Sequence, residues 1–301
     1  MTTKALDLPE REYMLPGNRT CAGCGLSIAY RHILKALDGR AIMTIPASCL
    51  TVLGGMYPVS SVEVPVMNCT FPSTAATASG IVAGLKALGK EGITVVAMAG
   101  DGGTVDIGIQ ALSGAAERDT DLLYICYDNE AYMNTGVQRS SATPKGVRTA
   151  TTPVQGKQTY KKDMPAIMEA HYLRYIATAS PAFPEDLYDK VCKARTVVGT
   201  RYIHIHAPCP PGWFFPTKET VNVGRLAVET GAFPLYEIDH GTFRLTGRSK
   251  TLAARGELKP LHEYLTVQGR FKNVPRETLD ELQQHVTERW QHYLERDKAG
   301  A

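Results

Sequence analysis

The middle of the chain alternates short apolar runs with segments of helical periodicity. Residues 93–99 (ITVVAMA) and 122–127 (LLYICY) carry almost no polar side chains, the pattern of strands buried on both faces. The first runs into Gly100-Asp101-Gly102 and a helical pattern over 105–116; the second runs into Asp128-Asn129. Residues 175–178 and 201–206 read as further strands. Between them, 184–197 opens with a proline and acids and ends with bases, the order a helix dipole favours. Earlier, 26–37 reads as helix and 42–46 as strand. Residues 73–88 (STAATASGIVAGLKAL) read as a helix of small residues, either a tight core helix or one approached closely by a cofactor. Apolar strands joined by helices pair in parallel through right-handed crossovers. The predicted fold is therefore α/β: a doubly wound, mostly parallel sheet.

Two stretches depart from this rhythm. Residues 133–160 are rich in Thr, Ser, Gly, Pro and Gln without periodicity, and so long a loop in a compact domain points to function. Near the C-terminus, Leu279, Leu282, Val286, Trp290 and Tyr293 follow helical spacing and give one apolar face. That face predicts a helix docked on its own domain, with a partner chain as the alternative. Two regions are expected: 1–224, holding the sheet and the N-terminal cysteines, and 225–301, a helical extension packed on it or on partner subunits.

Composition narrows the class. Apolar residues make up 44% and charged residues 21% of the 301, as in soluble globular proteins, and the net charge of +3 is scattered, which argues against nucleic acid. No run approaches the roughly 20 apolar residues of a spanning helix, and the first 20 residues contain no apolar signal core. Seven cysteines without such a signal predict reduced thiols or metal ligation in a reducing cytoplasm.

Cys21-Ala-Gly-Cys24-Gly25 places small residues around two thiols, so backbone amides can approach the sulfurs. Alone, the motif fits zinc, redox exchange or nothing. Zinc usually takes a second close pair, which is lacking, and a thioredoxin-like role would place the motif after a strand. Cys126 and Cys192 sit within a strand and a helix and read as buried thiols, as does Cys69. Cys49 and Cys209 each follow a strand end, where α/β proteins place ligands, and Cys209 is flanked by prolines. Four thiolates, two adjacent and two distant, suit a cubane cluster. His204 and His206 would face one side of their strand and read as core histidines.

Gly100-Asp101-Gly102 closes one strand and Asp128-Asn129 the next. Glycines permit backbone approach to phosphate, and the following helix N-terminus favours its charge. Asp101 and the Asn129 side-chain oxygen are hard ligands suited to Mg²⁺ bridging two phosphates, with the Ala131 carbonyl as a third. There is no Gly-Lys-Ser/Thr and no Rossmann glycine fingerprint. The arrangement resembles the thiamine-diphosphate signature.

Together these features resemble the 2-oxoacid:ferredoxin oxidoreductase family, and the chain is similar to its pyruvate-type β subunit over nearly its whole length. The matching stretches include Cys21-Ala-Gly-Cys24-Gly25, Cys49-Leu50, Gly100-Asp101-Gly102 and the run from Asp128 to Gly136. They continue through Gln138 to Pro144, Cys209 to Trp213, Ala227 to Gly231, Pro234 to Glu237 and Tyr264 to Phe271. The resemblance implies a [4Fe–4S] cluster on Cys21, Cys24, Cys49 and Cys209, and Mg²⁺ on Asp101, Asn129 and the Ala131 carbonyl. It also implies thiamine diphosphate held by these and by Gly100, Gly102, Gly103, Asp106, Thr135 and Gly136. Asn134 would be a substrate-facing amide, with the loop 135–144 closing over the site. The implied activity is oxidative decarboxylation of a 2-oxoacid, usually to an acyl-coenzyme A, with electrons leaving through the cluster. Implied partners are an α subunit supplying the pyrimidine-binding domain and a glutamate, together with γ-type and ferredoxin-like subunits.

Two departures stand out. Ala47-Ser48 precedes Cys49 where many relatives have a Gly-rich turn, and Asn68-Cys69-Thr70-Phe71 stands where many have a histidine. The substrate therefore stays open among pyruvate, an aromatic or branched 2-oxoacid, and oxalate. A non-oxidative thiamine enzyme and a non-catalytic metal-binding scaffold are the alternative classes.

Overall fold

The computed structural model describes residues 3–4 and 7–300; the outermost residues of the two expected regions lie outside these. In chain order the elements begin α1 (Gly25–Leu37), β1 (Ala41–Pro46), α2 (Cys49–Gly54), β2 (Val66–Cys69), α3 (Thr74–Ala87) and β3 (Thr94–Gly100). A π-helical turn (Gly102–Asp106) leads into α4 (Ile109–Glu117) and β4 (Leu123–Asp128). Then follow α5 (Met164–Glu169), β5 (Tyr175–Ala179), α6 (Pro184–Thr196), β6 (Arg201–His206), α7 (Pro210–Trp213) and α8 (Thr220–Glu229). The C-terminal part is β7 (Tyr236–Asp239), β8 (Thr242–Leu245), α9 (Gly247–Arg255), α10 (Leu261–Thr266) and α11 (Arg276–Ala299).

The strands form one eight-stranded sheet in the order β2-β1-β3-β4-β6-β5-β7-β8. The first six pair in parallel, as expected of strands buried throughout. Alternate side chains go to opposite faces. Val96, Met98, Leu123 and Ile125 meet α1 and α6 on one side, while Val95, Ala97, Tyr124 and Cys126 meet α3, α4, α5 and α11 on the other. The result is a three-layer doubly wound fold. Among the described residues no helix is long and apolar enough to cross a membrane.

Two findings extend the sequence reading. Strands β7 and β8 run antiparallel and continue the sheet from β5. They are joined through His240 and Gly241 with φ of 48° and 82°, the doubly left-handed turn that matches strand twist. The boundary expected at 224/225 falls inside α8, and the strands beyond it belong to the same sheet. Helix α11 docks on its own chain: Trp290 and Tyr293 enter one core and Leu279, Leu282 and Val286 pack against another.

The chain leaves β1 toward β2 on one side and toward β3 on the other, so the order reverses between β1 and β3. Ligands of such sheets bind at the carboxyl ends beside that reversal. Cys49 begins the helix after β1, and Asp101 follows β3 directly.

Candidate active site

Asp101 is fully buried. Burial first, and then the charge of Asp128, push its carboxyl well above the usual range, although Ser140 Oγ donates to it at 2.5 Å. A carboxylate buried beside a second one favours its neutral form unless a cation offsets the charge. The side-chain oxygen of Asn129 is turned toward the Ala131 carbonyl and Asp101 Oδ1, each 3.0 Å from it. Reversing the amide would let it donate to both. As oriented, three oxygens face one another with no hydrogen between them, the donor set that a hard cation takes when phosphates complete its shell. Among the described residues no group of three His, Cys, Asp or Glu side chains is placed to hold a metal ion. A metal here would therefore rest on one carboxylate, one amide and one carbonyl.

The glycines beside Asp101 are required by space. A Cβ on Gly102 would lie 2.6 Å from the Tyr132 ring, and one on Gly100 would press at 3.2 Å on Tyr127. Gly103, with only ordinary contacts around its Cβ position, is not constrained in this way. The helical pattern expected from residue 105 begins earlier, as the π turn over Gly102–Asp106, a conformation frequent at functional sites. Asp106 accepts from Tyr132 Oη at 3.2 Å and from the Ser141 backbone at 3.1 Å. It thereby ties the loop 133–160 to the turn after β3.

That loop contains no helix or strand, yet it is ordered by its own bonds. The buried Lys157 ammonium donates to the carbonyls of Ser141 (2.6 Å) and Thr143 (2.7 Å). Tyr132 and Gln138 bridge in antiparallel fashion, and Asn134, Thr135 and Gly136 form the exposed tip between them. These three candidates are therefore exposed, whereas Asp101, Asn129 and Ala131 are buried.

All seven cysteines are free thiols. Cys21 and Cys24 precede α1, Cys49 begins α2, and Cys209 follows β6. Burial first pushes the Cys49 and Cys209 thiols up to about 12; the charges of Cys24 and Cys21 add at Cys49, and those of Cys24, Cys49 and Cys21 add at Cys209. The charge of Asp101 also reaches Cys49, so thiols and oxygens share one neighbourhood. Glycines bring the thiol segments together. Gly23 has φ 69°, and a Cβ there would overlap the Thr217 carbonyl; Gly25 donates to Pro208 O at 3.0 Å, where a Cβ would intrude at 2.7 Å. A four-iron cluster takes one thiolate per iron, so its thiols stand farther apart than the ligands of a single ion. The donor set fits such a group.

Of the remaining cysteines, Cys126 is fully buried while Cys69 and Cys192 are only half-buried. His204 is satisfied, facing Tyr202 Oη at 2.7 Å and Asp128 at 3.1 Å. His206 meets Tyr264 Oη at 3.0 Å, and its Nδ1 has no partner.

Sequence reasoning assigned no role to a charged network behind the site. Asp128 is held well below the usual carboxylate range: burial opposes this, but Lys161 at 2.9 Å and His204 outweigh it. Lys161 also reaches Glu130 at 2.6 Å, and Arg270 pairs with Glu130 from the other side. The acids stood in the quoted Asp128–Gly136 run and Arg270 in the Tyr264–Phe271 run. Their pairing across the sequence left no local signal.

Comparison with known proteins agrees with this geometry. Residues 49–205 match the family described as thiamine pyrophosphate enzyme, C-terminal TPP binding domain. Pyruvate synthase subunit PorB of Methanothermobacter marburgensis is 47% identical over 93% of this chain and 97% of its own. Ketoisovalerate oxidoreductase subunit VorB of Pyrococcus abyssi is 45% identical over 96% of this chain and 94% of its own. Among solved structures, the 2-oxoglutarate:ferredoxin oxidoreductase of Magnetococcus marinus shares the fold. Its TM-score is 0.57 at 22% identity, covering 66% of this chain and 67% of that one. With the sheet, the strand-end site and full-length relatives in agreement, the chain belongs to the thiamine-diphosphate-dependent 2-oxoacid:ferredoxin oxidoreductase family, as its β subunit.

Proposed function

We propose that the chain is the diphosphate-binding half of a 2-oxoacid oxidoreductase active site and carries the first electron acceptor beside it. What supports this reading is the placement of four free thiols, before α1, at the start of α2 and after β6, at the strand-end rim where Asp101, Asn129 and the Ala131 carbonyl lie. Thiamine diphosphate supplies the electron sink for loss of CO₂ from a 2-oxoacid, and a [4Fe–4S] cluster accepts electrons singly.

The chain's own residues position and shield. Asp101, Asn129 and the Ala131 carbonyl would hold Mg²⁺, while Gly100, Gly102 and Gly103 let the backbone approach the diphosphate. Asp106 keeps the loop 133–160 over this region, and Thr135 and Gly136 would complete the cofactor's surroundings from the loop tip. Asn134, exposed on that tip, would offer its amide to the substrate once a partner subunit closes the open side. Cys21, Cys24, Cys49 and Cys209 would ligate the cluster. An α subunit would bring the pyrimidine-binding domain, and γ-type and ferredoxin-like subunits would carry electrons onward. The region beyond residue 224 would serve both the chain's own packing and these contacts. Free thiols fit a reducing cytoplasm.

Pyruvate, or a related 2-oxoacid such as a branched one, is the substrate we favour, with coenzyme A as acyl acceptor, because the relatives named above are pyruvate and ketoisovalerate enzymes. The test is an anaerobic assay of the isolated complex against a panel of aliphatic, branched and aromatic 2-oxoacids and oxalate, with and without coenzyme A. Coenzyme A-dependent reduction of a ferredoxin-like acceptor is expected with at least one aliphatic 2-oxoacid. Release of CO₂ without electron delivery would instead establish the non-oxidative reading.

A further inference from the structure

The stretch Tyr264 to Phe271, outside the matched thiamine domain, is built into the site from behind. Trp213 is fully buried, and its indole N–H donates to the backbone carbonyl of Asn129 at 2.8 Å. Trp213 also closes the turn that begins at Cys209, its backbone N–H donating to Cys209 O at 2.9 Å. One residue therefore bonds to both the thiol loop, through its backbone, and the loop of the candidate metal ligands, through its indole.

Arg270 fixes that side chain. Its guanidinium carbon lies 3.8 Å from the Trp213 ring centre, a cation–π stack in a desolvated setting. It pairs with Glu130, the residue between Asn129 and Ala131. Its Nε and Nη2 donate to Gln268 Oε1 at 3.0 and 2.7 Å, and Gln268 Nε2 donates back to Tyr264 O at 2.6 Å. Gly269 seats this unit: its N–H donates to Phe214 O at 3.0 Å, and a Cβ would lie 2.8 Å from Phe214 Cβ. A second contact joins the same loops. Met133 packs so closely on Gly212 that a Cβ there would overlap its sulfur and come within 3.4 Å of Cys209 Sγ.

We propose that Trp213 and Arg270 are positioning residues that lock the Cys209 loop and the Asn129–Ala131 loop into one rigid unit, so that cluster environment and cofactor affinity are set together. The inference rests on the ligand assignments proposed above. Both loops contain backbone that needs support: Glu130 holds a left-handed φ of 67° and Phe214 one of 56°, conformations that persist only where surroundings impose them. The brace joins the two loops, in addition to the local bonds from Glu130 N–H to Asp128 Oδ1 (2.9 Å) and from Thr143 Oγ1 to Glu130 O (2.7 Å).

The test uses the anaerobically isolated complex with its own partner subunits. Trp213→Phe keeps the ring and removes the donor; Arg270→Lys keeps the charge and loses the flat stack. Each is expected to raise the Kd for thiamine diphosphate with Mg²⁺ about five-fold, the scale of one lost buried hydrogen bond. Each is also expected to shift the electron paramagnetic resonance signal of the reduced cluster. Trp290→Phe, a buried indole of α11 that packs in a different core from Trp213, is expected to leave both readouts at the wild-type value. The proposal is overturned if neither readout moves, if only one moves, or if Trp290→Phe moves both. Arg270→Lys carries the test should the indole variant not assemble. A wild-type complex without iron at these cysteines would instead sink the cluster assignment, which iron analysis reads separately.

Discussion

At the scale of the residue, the site depends on a carboxylate placed where it is costly. Asp101 is buried, and the charge of Asp128 adds to the cost of its own. Asp101→Asn should therefore weaken Mg²⁺-dependent thiamine diphosphate binding by at least about ten-fold, because the only charged ligand is gone. Melting of the cofactor-free protein should stay level or rise, since a desolvated charge is removed. Parallel loss of affinity and melting temperature would make Asp101 structural instead. His206 offers a pH-dependent check. Burial lowers it to about 4, against about 6.5 in the unfolded chain. Between these values the unfolded state binds the extra proton, so stability is fully present above pH 6.5 and is lost as pH falls toward 4. The loss is on the order of 3 kcal/mol at most. His206→Asn should lose less stability than wild type between pH 7 and 4.5 in denaturant titrations; equal losses would contradict a neutral buried imidazole. Single residues were legible wherever their chemistry is special: Asp101, Asn129 and the four cysteines announce themselves by type and position. Trp213 and Arg270 did not, because an indole and a guanidinium are ordinary until the fold stacks them.

At the scale of the element, the apolar runs predicted the parallel strands to within a residue or two. Burial on both faces leaves no polar alternation to misread. The short strands failed this test. Val66–Cys69 carries Asn68 and lies at the sheet edge, half-exposed, so its apolar signal is weak. Tyr236–Asp239 and Thr242–Leu245 alternate over four residues only, although His240-Gly241 was a hairpin signal that could have been read. The turn at Cys21–Cys24 makes an element-level prediction. Gly17 and Gly23 both hold left-handed φ, 88° and 69°, but only at Gly23 would a Cβ meet another segment. Gly17→Ala and Gly23→Ala should each cost about 1 kcal/mol in backbone strain. Only Gly23→Ala should also lower iron retention, by displacing Cys21 and Cys24 from Cys49 and Cys209. Equal iron in both variants would show that the glycine does not set the cysteine turn.

At the scale of the whole molecule, the sheet reversal gathers one end of every functional segment onto one rim. The C-terminal part closes that rim from behind through α8, α10 and the Gln268–Arg270 brace. The split expected at 224/225 falls inside α8, and β7 and β8 beyond it continue the sheet. The apolar face of α11 was legible from its spacing, but the surface it packs on comes from the sheet and becomes visible only after folding. The open side beyond Asn134 is where a second subunit would complete the site, so the chain alone should not turn over 2-oxoacids. The most direct test of the account is the iron content of the anaerobically purified complex, compared between wild type and a Cys21→Ser, Cys24→Ser variant of this chain. The account predicts a loss of about four irons per β chain, with thiamine diphosphate still bound in the wild type. Iron unchanged by the substitution would contradict it.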